Sequence, residues 1–189
     1  MKRIKRIVDT GFWSDEKIMN FTPQDKYFWL FLLTNEYTSQ LGIYYLPIKK
    51  AAFDLGYDEE TVRELIKRFM DYEMISFSWN TSEVAIKNYL IYSVVSGGKP
   101  VYDCLIREMY QVKDKSMLKY IYDNLTQKDL LNNTVIDFIK ALFIYLNDND
   151  NDNERFVNES STNRPRIVGK NKKSHYDFDE LERETRNGD

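Results

Sequence analysis

The run Asp58-Glu59-Glu60-Thr61-Val62-Arg63-Glu64-Leu65-Ile66-Lys67-Arg68-Phe69-Met70-Asp71-Tyr72 sets Val62, Leu65, Ile66, Phe69 and Met70 at the spacing of one buried helical stripe. Asp58 or a neighbour starts this helix. Its other face carries Arg63, Glu64, Lys67, Arg68 and Asp71. Downstream, Ile75-Ser76-Phe77-Ser78-Trp79 alternates apolar and polar residues, which predicts a strand. Asn80-Thr81-Ser82 reads as a turn, and Val84-Ala85-Ile86-Lys87-Asn88-Tyr89 as the returning strand. Upstream, Pro47 opens a helix over Ile48 to Leu55 that Gly56 stops. Gly42-Ile43-Tyr44-Tyr45-Leu46 precedes it as a short β-type run.

Further back, Thr22 is placed to cap a helix, with Pro23 at its first position and Asp25 near its positive end. That helix, through Thr34, is apolar nearly all round and must be buried on most sides. The order is helix, strand, helix, helix, strand, turn, strand. This is the winged helix-turn-helix pattern, in which the third helix keeps a polar face free for a DNA major groove.

After Tyr89 the expectations are coarser. Ser93 to Lys99, followed by Pro100, reads as a linker. Apolar spacings then mark three helices, through Val101–Val112, Met117–Leu125 and Leu130–Leu146. The Asn-Asp alternation over Asn147 to Asn153 reads as a solvated linker that breaks the helical pattern. A calcium loop would need a glycine and a closing glutamate that are not at the required places. The remaining tail, with a basic run from Arg164 to Lys173 and a short helical candidate at Asp177–Arg186, is expected to be disordered. The fold class is therefore mainly α with a small β-hairpin. A winged helix at 1–92 and a linker at 93–100 are followed by a helical partner or oligomerisation region at 101–146 and a polar tail at 147–189.

Composition narrows the function. The chain has 189 residues, 42% of them hydrophobic, and a net charge of −3 from 27 basic and 30 acidic residues. Such a balance gives no global pull toward nucleic acid, so any footprint on phosphate must be local. Cys104 is the one cysteine, expected as a small core residue, and a chain without an intrachain disulfide suits the cytoplasm. The basic start at Met1–Arg6 lacks a following apolar run and is not read as a secretory signal. No stretch is apolar enough for a membrane span, so no membrane partner is expected.

Catalysis finds little support. The single histidine, His175, sits in the polar tail far from Cys104, which leaves no tetrahedral zinc set and no nucleophile–base pair. Gly97-Gly98-Lys99 is too short to cradle a phosphate. Asp58, Glu59 and Glu60 are acids at a helix start, where the helix dipole accounts for them. Asp71 and Glu73 form the other acidic group. The chain is read as a non-enzyme needing no cofactor and no metal.

The candidate DNA contacts are Thr61, Arg63, Glu64, Lys67 and Arg68 on the third helix. Lys87 and Asn88 on the second wing strand and Lys49 and Lys50 on the second helix are added, with the arm residues Lys2, Arg3, Lys5 and Arg6. Arg and Lys suit phosphates or guanine edges, and Thr suits either. A solvated helix face and a frayed terminus are the plainer readings of the same residues.

Several stretches together carry a resemblance. They are Asp9-Thr10-Gly11-Phe12-Trp13-Ser14-Asp15, Thr22 to Asn35, Gly42-Ile43-Tyr44, Val62 to Phe69, and Glu83 to Tyr89. Together they resemble the N-terminal domain of phage replication-initiation proteins of the DnaD-like type, the replisome organisers of low-GC Gram-positive hosts and their prophages. Tyr176-Asp177-Phe178-Asp179-Glu180-Leu181-Glu182 also looks like a short terminal helix of such proteins. The resemblance implies a winged helix, binding to double-stranded DNA, recruitment of a host helicase loader or replicative helicase, and self-association. It implies no catalytic residue. Longer relatives bind single strands through a Tyr-x-x-x-Ile-x-x-x-Trp motif. That motif is absent here: Trp13, Trp29 and Trp79 all lie in the first half. The competing readings are a winged-helix transcriptional regulator and a protein-interaction module that does not bind DNA.

Overall fold

The computed structural model describes residues 5–94, 97–125 and 131–159. A 3-10 turn at Thr10–Ser14 and a single helical turn, α1 (Glu16–Met19), lead into α2 (Pro23–Thr34). Thr22 and Asp25 close a capping box there: Thr22 Oγ1 accepts from the Asp25 amide, and the Asp25 carboxylate accepts from the Thr22 amide. Strand β1 (Ile43–Tyr45) follows, then α3 (Ile48–Leu55) and α4 (Glu59–Asp71). Gly56 ends α3 in the left-handed region at φ 72°, a conformation that costs glycine nothing. Asp58 caps α4 by accepting from the Thr61 amide at 2.8 Å.

Strands β2 (Ile75–Ser78) and β3 (Glu83–Ile86) complete an antiparallel sheet of order β1-β3-β2. Val84 stands between Tyr44 and Phe77 in the register, and Ala85 between Ile43 and Ser76. The side chains alternate across this sheet as the pleat requires. Tyr44, Val84, Ile86, Ile75 and Phe77 join the core made by α2, α3 and α4, whereas Ile43 and Ala85 join a second core.

That second core is completed by α5 (Tyr89–Ser93), α6 (Lys99–Gln111), α7 (Lys115–Asp123) and α8 (Asn133–Glu159). The sheet is thus covered on both faces, and α7 packs on β2 and β3. Two carboxylates, the half-buried Glu108 and the buried Glu83, tie the halves together. Glu108 on α6 accepts from the Gln40 and Leu41 amides at 3.2 and 2.7 Å. Glu83 accepts from the Lys113 and Asp114 amides at 2.9 and 2.8 Å. The described residues up to 152 form one compact unit.

Phe69 is the centre of the first core. It is fully buried and touches the rings of Phe21, Phe28, Trp29 and Tyr72 at centroid distances of 5.3–5.6 Å. Removing such a ring costs about 3–5 kcal/mol, so the stripe that orients α4 is strongly fixed.

Four sequence expectations need correction. The second wing strand stops at Ile86. Lys87 and Asn88 lie in the turn beyond it, because Asn88 takes a left-handed backbone at φ 57° that no strand accommodates, and α5 begins directly after. Pro100 does not close a linker; it occupies the first turn of α6, where its missing N–H costs nothing. The Asn-Asp alternation does not break the last helix, which runs on to Glu159. No Gly or Pro occurs over 133–159, and each Asn or Asp costs a helix only about 0.7 kcal/mol. Cys104 is half-buried, with Leu105 and Met109 filling the core from α6 instead. Burial, its largest influence, pushes its thiol up from the ordinary range. Among the described residues, no helix is long and apolar enough to cross a membrane.

Candidate nucleic-acid interface

Helix α4 turns Val62, Leu65, Ile66 and Phe69 inward and leaves its opposite side to solvent. Only Gly56-Tyr57-Asp58 separates α3 from α4. Among the described residues, no residue of α4 belongs to the core built on α6, α7 and α8. Glu64 and Lys67 are exposed, and Thr61 and Arg63 are half-exposed.

The charges on that face are mixed. Arg63 Nη2 lies 3.6 Å from Glu59 Oε2, with the two side chains 39% and 50% exposed. An exposed pair of this kind is worth about 0.3–0.5 kcal/mol, so it leaves the guanidinium free to exchange partners. Lys67 has no ion-pair partner among the described residues. Arg68 is different. Its Nη1 donates to Oδ1 of Asp25 at 2.8 Å, and Asp25 is 1% exposed. This arginine holds α4 to the capped start of α2. Thr61 Oγ1 donates to Asp58 Oδ2 at 2.9 Å and so belongs to the cap. Those bonds, led by the Thr61 amide, hold the Asp58 carboxyl below its usual range. Four acids, Glu59, Glu60, Glu64 and Asp71, share the helix with Arg63, Lys67 and Arg68.

The other candidates scatter. Lys50 on α3 pairs with Asp54 one turn on and with Glu36 at 3.4 Å. The Asp54 bond, its largest influence, raises its pKa. Its neighbour Lys49 is exposed without an ion pair among the described residues. Lys87 Nζ stands 3.9 Å from Glu73. Lys5 is exposed, but Arg6 is pinned to the loop before β1, donating to the Thr38 carbonyl and to Gln40 Oε1. The rest of the expected basic arm, Lys2 and Arg3, lies outside the described residues, as do His175 and the tail segments.

The hairpin tip between β2 and β3, Trp79-Asn80-Thr81-Ser82, carries no cation. The sequence reading passed over the cations beside it, Lys113 and Lys115 at the start of α7. Their only sequence signal is the Lys-Asp-Lys triplet, which says nothing about the tyrosines they meet. Among the described residues, no group of three His, Cys, Asp or Glu side chains could hold a metal. No family model, curated protein or solved structure matches the chain.

Proposed function

We propose that this chain is a DNA-binding protein of the winged-helix type that acts by positioning, as a phage or prophage replication initiator. In this reading α3 and α4 are the helix-turn-helix, β2 and β3 are the wing, and Arg63, Glu64 and Lys67 face the duplex. The single observation that carries it is an α4 whose polar side stands in solvent beside a two-stranded hairpin, while α6, α7 and α8 pack on the opposite side of the sheet. The replication role rests on the resemblance to replisome organisers, and recruitment of a helicase loader or replicative helicase belongs to the same proposal. A second copy would pack at Trp13, which is 63% exposed; the mass in solution of wild type and Trp13→Ala tests that.

Fluorescence anisotropy with a labelled duplex tests the central claim. Binding should weaken steeply between about 50 and 200 mM salt. Replacing Arg63 and Lys67 together by alanine should lower the slope of log affinity against log salt by about two. Unchanged affinity and slope would remove α4 from the interface.

One observation favours a second reading, a protein-contacting module. With Arg68 committed to Asp25, the face of α4 offers two free cations against four acids. A basic protein surface would suit that balance. The same titration separates the readings, since this module would give no salt-dependent duplex binding.

A further inference from the structure

Two lysines at the start of α7 each stand over a tyrosine ring, beside the hairpin. Lys113 Nζ stands 5.8 Å from the ring centre of Tyr45, at the end of β1, and Lys115 Nζ 5.0 Å from that of Tyr145 on α8. Tyr110 of α6 meets Tyr145 edge-on at 5.3 Å. Lys119 lies one turn beyond Lys115 on α7, and all three lysines are exposed. None of them forms an ion pair among the described residues. The acid between the first two, Asp114, is occupied as the cap of α7 by the Ser116 amide and hydroxyl. The resulting surface has three available cations in a chain whose net charge is −3.

Its place is fixed by the hairpin. Glu83, the first residue of β3, accepts from the Lys113 and Asp114 amides and from Thr81 Oγ1 at 2.9 Å. Tyr45 is the register partner of the same Glu83. Lys113 is thereby anchored directly beside the turn at Trp79–Ser82.

We infer that Lys113, Lys115 and Lys119 bind the phosphate backbone of duplex DNA next to the wing. This inference rests on the DNA-binding reading and supplies cations that the wing turn and α4 lack. The attraction of a tyrosine ring face for an ammonium limits how far Lys113 and Lys115 wander. The same geometry argues against a single strand stacked on these rings, since Lys113 and Lys115 occupy ring faces that bases would need. Contacts to phosphate alone read no sequence, so this surface would set register and affinity, not specificity.

The test compares variants of the full chain on two labelled duplexes of unrelated sequence and one single strand over a salt series, with circular dichroism as the folding control. Replacing Lys113, Lys115 and Lys119 together by glutamine should lower the salt slope for duplex by about three, equally for unrelated sequences. Replacing them by arginine should keep it. If the glutamine variant matches wild type on duplex while the Arg63→Ala, Lys67→Ala variant loses binding, the inference fails and the α4 reading stands. If the glutamine variant loses only single-strand binding, the duplex assignment is wrong. If wild type binds no duplex, both readings fall. Should the glutamine variant misfold, the single change Lys119→Gln, remote from the Glu83 anchor, must still lower the slope by about one.

Discussion

Arg68 and Asp25, 43 residues apart in sequence, share a 2.8 Å bond across the first core, with Asp25 buried and Arg68 partly open to solvent. The other oxygen of Asp25 is already used by the Thr22 amide and hydroxyl. One carboxylate therefore starts α2 and holds the outward helix α4 against it. The cation nearest the end of α4 is thus spent on the fold.

Arg68→Ala removes the charge partner of a buried carboxylate and should destabilise the protein by about 1–3 kcal/mol, the cost of leaving such a group short of a bond. Arg63→Ala, on the same helix but paired only in solvent, should stay within about 0.5 kcal/mol. Urea unfolding of both variants checks this. Equal midpoints would mean that Asp25 finds water as readily as it finds Arg68.

Glu83 makes a parallel prediction at the hairpin. Its two oxygens receive the Lys113 and Asp114 amides, and it is 5% exposed. Glu83→Gln keeps the size but turns an NH2 group toward one of those N–H donors. The loss should be about 1–3 kcal/mol. Thermal unfolding should show a melting temperature lowered by several degrees, and an unchanged one would show that α7 does not depend on this clamp.

These two bonds also mark where sequence reading stops. Thr22, Pro47, Gly56 and Asp58 act on neighbours within a turn, so their caps and helix ends were legible from spacing alone. The alternation through Lys87 and Asn88 looked like continuing strand because periodicity carries no sign of a left-handed residue. Asp25–Arg68 and Glu83–Lys113 join distant segments, and nothing in either segment names its partner. The Tyr45, Lys113, Lys115 and Tyr145 cluster is harder still, since β1, α7 and α8 supply it and the preceding loop sets Lys113. The outward side of α4 is legible as a pattern, yet which of its three cations remains available is a question of packing.

The cap of α4 predicts a pH dependence. The Thr61 amide and hydroxyl hold the Asp58 carboxyl below its ordinary value of 3.8. A carboxyl depressed in the folded state stabilises above its unfolded pKa, and that contribution fades as pH falls through the folded pKa. Asp58→Asn keeps a side-chain oxygen for the cap but cannot titrate. Stability measured between pH 6 and 2 should thus fall less steeply for Asp58→Asn than for wild type, with the curves diverging only below about pH 4. Parallel curves over that range would show that the cap has no preference for the ionised form.

Gly42 and Gly56 offer a matched pair. Both are left-handed, at φ 81° and 72°. A side chain at Gly56 would meet nothing within 4 Å, whereas one at Gly42 would sit 2.6 Å from Cβ of Tyr89. No rotamer change of Tyr89 moves its Cβ, so relief requires the backbone of β1 or α5 to shift. Gly56→Ala should therefore cost only the left-handed strain, about 1–2 kcal/mol. Gly42→Ala adds an overpacking term of about 1–3 kcal/mol. The difference between their urea midpoints isolates the contact between the loop before β1 and α5. Equal losses would mean that α5 gives way freely, and that the junction between the two cores is softer than its burial implies.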